Sequence, residues 1–214
     1  MSTTLGVLPH GPVSKLGWPF SQLFTTTKLV TKPEDLLDVQ AVVLWGGEDI
    51  SPSLYGEKPC QFTDGPERPS KRDLFEWSIL LNAVKLNIPI IGVCRGAQLM
   101  CAFDGGKLAQ DVNGHGQSHT ICTEHSAFDA PAEHHQMMLP KEGTQILAHP
   151  PQRRSQFYVS EHNTINYFPV NFVEPEAVFF PDIKGIGFQY HPEWADKESP
   201  CVKYSLDIVK EKLL

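Results

Sequence analysis

The chain has 214 residues, 41% hydrophobic and 20% charged, which suits one sizeable domain and is too little for two comfortable ones. A formal charge of −7 without any basic run argues against electrostatic binding to nucleic acid or to an anionic membrane. The five cysteines, Cys60, Cys94, Cys101, Cys122 and Cys201, are odd in number and include no Cys-x-x-Cys pair, so reduced thiols are expected, not a zinc or redox motif. No charged leader followed by an apolar run opens the chain, and no stretch reaches bilayer-spanning length; a cytoplasmic protein is the expectation.

In chain order, residues 4–9 read as a short first strand, followed by a loop containing Pro, Gly and His. Residues 18–24 are a weak candidate helix. Residues 39–45 form a clearer buried strand, stopped by Gly46 and Gly47. Glycines in that position let backbone amides point into the crevice outside a parallel sheet, although an ordinary tight turn has the same composition. Residues 51–69 are rich in proline, glycine and charge and read as an irregular loop or lid. Across 72–87, Leu74, Trp77, Leu81 and Val84 recur at helical spacing, with Phe75, Ile79 and Ala83 widening the stripe, which predicts a helix packed on a sheet by that face. It leads directly into the branched run 88–93, and this strand–helix–strand order implies a right-handed crossover and parallel pairing.

Gly92 and Gly96 bracket Cys94, and helix formers follow from Arg95 to Phe103. A sulfur at the apex of such a strand–turn–helix elbow lies beside the first unpaired amides of the helix, where the field favours thiolate over thiol. Cys94 is therefore the candidate nucleophile. Residues 113–149 are loop-rich and hold six of the nine histidines. His115, His119 and His125 stand four and six residues apart and make no one-face helical pair with a third ligand, so no metal is expected. Residues 177–180 and 186–190 flank a turn and predict a small antiparallel hairpin that delivers His191 to the rim of the sheet. Two residues further on, Glu193 projects to the same side of an extended segment and can orient the His191 ring, leaving the other nitrogen for the nucleophile. Ser199 is a good N-cap and Pro200 a good first residue for a closing helix with Val202, Leu206, Val209 and Leu213 on its apolar face.

A cysteine at an elbow, a histidine with its carboxylate and a glycine loop at one edge suit acyl transfer at an unactivated amide, with the Arg95 N–H receiving the oxyanion. The segments Gly92-Val93-Cys94-Arg95-Gly96-Ala97-Gln98, Gly105-Gly106-Lys107-Leu108-Ala109-Gln110-Asp111 and Phe188-Gln189-Tyr190-His191-Pro192-Glu193-Trp194 together resemble the class I glutamine amidotransferase superfamily. The run from Gly46 to Glu57, Arg72-Asp73-Leu74-Phe75-Glu76 and His134-His135-Gln136 are similar to its gamma-glutamyl hydrolase branch, which includes gamma-glutamyl-GABA hydrolases.

The resemblance implies a single doubly wound, mostly parallel α/β sheet of flavodoxin-like type over residues 1–214, with flanking helices. It implies a gamma-glutamyl acyl group, Gly47 as second oxyanion donor, and Gln98, His134, His135 and Gln136 holding the alpha-amino and alpha-carboxylate ends. His191 then protonates the departing amine and activates water, and no metal or organic cofactor is needed. The Arg95 side chain is expected to pair with Glu48 or Asp49 in preference to substrate. The chain departs from the branch in its short stretch between Val112 and His134 and across 152–175. Glutamine or a gamma-glutamyl amine is the expected substrate; a stand-alone hydrolase, a subunit passing ammonia to a separate synthetase partner, and a binding module without chemistry remain open, as does a homodimer.

Overall fold

The computed structural model describes residues 2–10 and 16–214; the stretch 11–15, read as loop, lies outside the described residues. The strands are β1 (Thr4–Val7), β2 (Thr26–Leu29), β3 (Ala41–Leu44), β4 (Ile90–Val93), β5 (Lys107–Ala109), β6 (His119–Cys122), β7 (Ala127–Ala130), β8 (Met137–Leu139), β9 (Gln145–Ala148), β10 (Phe157–Ser160), β11 (Thr164–Tyr167), β12 (Ala177–Phe180) and β13 (Gly185–Phe188). The α-helices are α1 (Lys71–Lys85), α2 (Arg95–Phe103) and α3 (Pro200–Leu213).

The branched runs make one twisted sheet in the order β2-β1-β3-β4-β13-β12-β9. The first five members run parallel, and β12 and β9 extend the edge antiparallel. Because strand side chains alternate, Val42, Leu44 and Ile90 enter one core layer beneath α1 and α2, while Val43, Ile91 and Val93 enter the other beneath α3. This is the mostly parallel α/β sheet with flanking helices that the family resemblance implied, with the parallel β3–β4 pairing expected from the strand–helix–strand order. The predicted hairpin is present, with Phe180 opposite Gly185, and its second strand pairs with β4 inside the main sheet. On α3, Val202, Val209 and Leu213 are buried and Leu206 packs against the same core.

Four sequence expectations are corrected. The candidate helix at 18–24 is only a short 3-10 turn, Phe20–Leu23, whose Phe20 stacks on Phe188. The stretch 51–69 is irregular apart from a 3-10 turn at Pro52–Tyr55, but it is pinned and does not form a free lid: the Gln110 side chain accepts from Cys60 N at 2.7 Å and donates to Glu57 at 3.0 Å. The histidine-rich region holds β6, β7, β8 and β9, strands too short to show a period of their own.

The fourth correction concerns α1. Ser70 caps it with a reciprocal bond to Asp73, as the sequence position before a helix favours. Its buried face, however, is Asp73, Glu76, Ile79, Leu80 and Ala83, whereas Leu74, Leu81 and Val84 are exposed. The reason is electrostatic: the Arg95 guanidinium, 2% exposed, reaches from α2 to Asp73 and Glu76, and both carboxylates are fully buried. Glu76 also accepts from Arg72 Nε at 2.8 Å. A hydrophobicity stripe cannot foresee a face whose inward members are carboxylates paired to another helix.

Breaking this buried network by Arg95→Met is expected to cost ~3–5 kcal/mol in urea unfolding, since two buried carboxylates lose their cation. Leu74→Gln on the exposed face is expected to change stability by less than ~0.5 kcal/mol.

Candidate active site

Three adjacent parallel strands end at the same edge, and each contributes to one cleft. Gly46 and Gly47 follow β3 after Trp45, Cys94 follows β4, and His191 lies shortly beyond β13. Such an edge is where open α/β sheets bind ligands, because loop amides and helix N-termini converge there. The cleft is about 390 Å³ and is lined by Gly46, Gly47, Cys94, Glu133, His191, Glu193 and Trp194.

Cys94 adopts φ 49° and ψ −108°, a conformation unfavourable to a side-chain-bearing residue, and its amide donates to Phe188 O at 2.7 Å. The flanking glycines are required by close approach: a Cβ on Gly96 would come within 2.6 Å of Leu44 O, and one on Gly92 within 2.7 Å of Ala97 N. Cys94 stands at the N-cap of α2, so the amides of the first turn, from Arg95 on, have no intrahelical acceptor.

His191 is buried, with its Nδ1 2.7 Å from Glu193 Oε1. The pair does not meet in an extended segment, as its spacing suggested. β13 ends at Phe188, and Pro192–Trp194 form a 3-10 turn that folds Glu193 back onto the ring. Trp194 stacks on the imidazole at 3.6 Å with a 3° interplanar angle. Burial pulls the His191 pKa down, but hydrogen bonding to Cys94 and Glu193 outweighs it and holds the imidazolium up to about 9. The Gln189 side-chain amide also approaches the Cys94 sulfur, at 3.9 Å.

The glycine loop is held from behind. Arg72 Nη2 donates to Trp45 O at 3.0 Å and Gly46 O at 3.1 Å. In a trans peptide the N–H points opposite to the carbonyl, so pinning Gly46 O turns the Gly47 N–H away from the guanidinium. Gly47 has φ 148°, and a Cβ there would collide with Arg72 Nη1. This residue must be glycine.

One sheet edge thus gathers the Cys94 thiol, an imidazole oriented by Glu193 and a pinned glycine loop. The chain belongs to the Peptidase C26 family, among the class I glutamine amidotransferase-like proteins, and the family model matches residues 29–193. Protein NtpR of Enterococcus hirae is 30% identical over 162 residues, covering 72% of this chain and 67% of that protein. The glutamine amidotransferase-like protein YvdE of Lactococcus lactis is 47% identical over 75 residues, 35% of this chain and 31% of its own length. A gamma-glutamyl-gamma-aminobutyrate hydrolase of Escherichia coli is 35% identical over 60 residues, covering 28% of this chain and 22% of that protein. The chain thus spans about a third of the length of the first curated relatives it matches. Among solved structures, a glutamine amidotransferase from Thermotoga maritima superposes with TM-score 0.58 at 14% identity, covering 100% of this chain and 84% of that one. A protein described as part of a GMP synthase from Thermoplasma acidophilum gives TM-score 0.59 at 16% identity, with 98% of each chain covered. At such identities the likeness is one of fold.

The cleft brings together Cys94, His191, Glu193 and Gly47, whereas Gln98, His134, His135 and Gln136 do not line it. Gln98 donates to Gln136 O at 3.2 Å, His134 turns inward to Glu176, and His135 sits between Asp49 and Asp111 at 3.3 and 3.2 Å. The Arg95 side chain pairs with Asp73 and Glu76, not with Glu48 or Asp49, because it points back beneath α1. Sequence reasoning passed over Glu133 and Arg72. The second stood inside the quoted Arg72-Asp73-x-x-Glu76 segment, while nothing local marks the first.

The raised His191 value has a definite sign. A folded pKa near 9, against ~6.5 for a free imidazole, contributes stability that is fully present below ~6.5 and lost as pH rises through about 9. In NMR titration of the His191 ring, Cys94→Ala is expected to lower the midpoint; an unmoved midpoint would show that sulfur and imidazole are uncoupled.

Proposed function

We propose that the chain is a cysteine-dependent amidohydrolase that cleaves a gamma-glutamyl amide through a gamma-glutamyl thioester. The observation that carries this reading is the Cys94–His191–Glu193 constellation facing a glycine loop in one cleft. The Cys94 sulfur adds to the amide carbonyl, and the oxyanion meets the N–H groups of Arg95 and Gly47. The C–N bond breaks as the His191 nitrogen remote from Glu193 gives its proton to the departing amine. Water, deprotonated by the same nitrogen, then attacks the thioester, releasing glutamate or a glutamyl peptide and restoring the thiol.

Glu133, exposed at the cleft wall, offers a carboxylate for the substrate's alpha-ammonium group. The name of the Escherichia coli relative supports the gamma-glutamyl choice. All five cysteines are free, which fits a reducing cytoplasm for a thiol enzyme. None of the described helices is long and apolar enough to cross a membrane.

Incubation with a chloroketone glutamine analogue is expected to add one glutamyl ketone to Cys94, read by mass spectrometry of the peptide. Steady-state assays over glutamine and gamma-glutamyl amines are expected to show loss of activity in Cys94→Ala and a ~10²–10³-fold fall in kcat for Gly47→Ala. Absence of both labelling and glutamate release across that panel would overturn the reading. The neighbour described as part of a GMP synthase favours a second version, in which ammonia passes to a separate synthetase. Glutaminase activity that appears only with such a partner would select it.

A further inference from the structure

Beyond the cleft, the sheet edge hides a cluster that the proposed hydrolysis does not use. His115 lies in the loop before β6, His119 opens β6, His134 follows β7, and Glu174 and Glu176 immediately precede β12. All five side chains are buried, His115 and Glu176 completely. Ligand atoms of His115, His134 and Glu176 lie within 4.8 Å of one another.

Tautomer arithmetic makes this arrangement unusual. A backbone carbonyl can only accept, so His134 Nδ1, 2.8 Å from Gln136 O, carries that ring's proton, as does His119 Nδ1, 2.9 Å from Gln117 O. In their neutral forms both rings aim a bare Nε2 lone pair at the same oxygen, Glu176 Oε1, at 3.8 Å for His134 and 2.9 Å for His119. Acceptors facing one another in a dry interior repel unless an added proton or a metal cation lies among them. His115 contacts both rings, tilted against His134 with centroids 4.7 Å apart and edge-on to His119 at 5.4 Å. Its two nitrogens make no hydrogen bond of ordinary geometry, although Glu176 and Glu174 oxygens stand 3.3 and 3.5 Å away. Glu176 Oε2 and His134 Nε2 likewise have no hydrogen-bond partner.

We infer that His115, His134 and Glu176, with His119 as a fourth donor, bind one divalent transition-metal ion of the zinc class behind the active-site wall. A tetrahedral zinc with ligands at ~2.0 Å holds its donor atoms ~3.3 Å apart, close to the observed spacings about Glu176 Oε1. Imidazole nitrogen with carboxylate oxygen is a donor set that suits this borderline ion. The Gln136 and Gln117 carbonyls hold the rings by their outer N–H groups, as backbone carbonyls do around metal-bound histidines. All four donors are protein side chains, the hallmark of a structural site.

The ion ties the segment bearing Glu133 to the entry of β12. Glu176 O accepts from Gln189 N at 2.8 Å, and the Gln189 side chain approaches Cys94, so the site braces the wall without entering the reaction. The sequence expectation of no metal rested on spacing within one helix; the donors instead come from loop and strand ends about sixty residues apart in the chain.

The test uses untagged full-length protein, stripped with chelator and titrated with Co²⁺ and Zn²⁺. Expected are uptake of about one ion per chain, a four-coordinate Co²⁺ visible spectrum that Zn²⁺ abolishes, and a rise of several degrees in Tm. His115→Ala and Glu176→Gln are expected to lose the ion, whereas His125→Ala at the exposed neighbouring histidine keeps it. Cys94→Ala also keeps it, which separates this site from the nucleophile and from the fate of the hydrolase reading. The wild-type titration needs no variant to fold: if stripped protein takes up no ion and Tm does not move, the cluster is an imidazolium–carboxylate assembly balanced by protons, and the inference is wrong.

Discussion

Glu76 is the residue on which the edge bearing the proposed active site depends. One of its oxygens accepts from Arg72 and the other from Arg95, and the carboxylate is fully buried. Through Arg72 it fixes the glycine loop after β3; through Arg95 it fixes the first residue of α2, directly beyond the nucleophile. The two oxyanion donors proposed here are thus backbone groups held by one side chain from a third element. Backbone donors cost no reorganisation during reaction only if something keeps their peptides still. A charged network is an expensive brace, since desolvation offsets much of the Coulomb attraction, but it is directional where apolar packing is not.

The proposed nucleophile is held by a different constraint. Cys94 takes positive φ because β4 must end, turn and become α2 within a single residue, with Gly92 and Gly96 letting the helix press on the sheet. The same compactness brings Gly187 of β13 against Ala97, with only 2.8 Å available to a Cβ. Close packing of α2 on β4 and β13 therefore sets the distance between the sulfur and the chain that carries His191. Local strain at the elbow is supported by the surrounding core, where Leu44, Ile90, Val93 and Phe188 are fully buried.

Opposite these, the wall bearing Glu133 has little regular structure of its own. β6, β7 and β8 are three or four residues long, and much of the segment's order comes from polar side chains turned inward. Residues expected to grip substrate, His134 and Gln136 above all, instead face that interior. In the proposed reaction, the cleft wall on this side presents Glu133, and the buried histidine cluster lies behind the segment that carries it.

Read alone, the amino-acid sequence determined the elements whose causes are local. Branched runs gave buried parallel strands, the glycines around Cys94 gave the elbow, Ser199-Pro200 gave the start of α3, and the short separation of His191 and Glu193 gave their pairing. Tertiary structure alone decided which face of α1 is buried, because Asp73 and Glu76 turn inward only to meet an arginine on another helix. It alone joined His115 and His134 to Glu176, and turned Arg95 away from Asp49. These features depend on pairing between charges and rings distant in sequence, and such pairings leave no period or spacing in the chain from which they can be read.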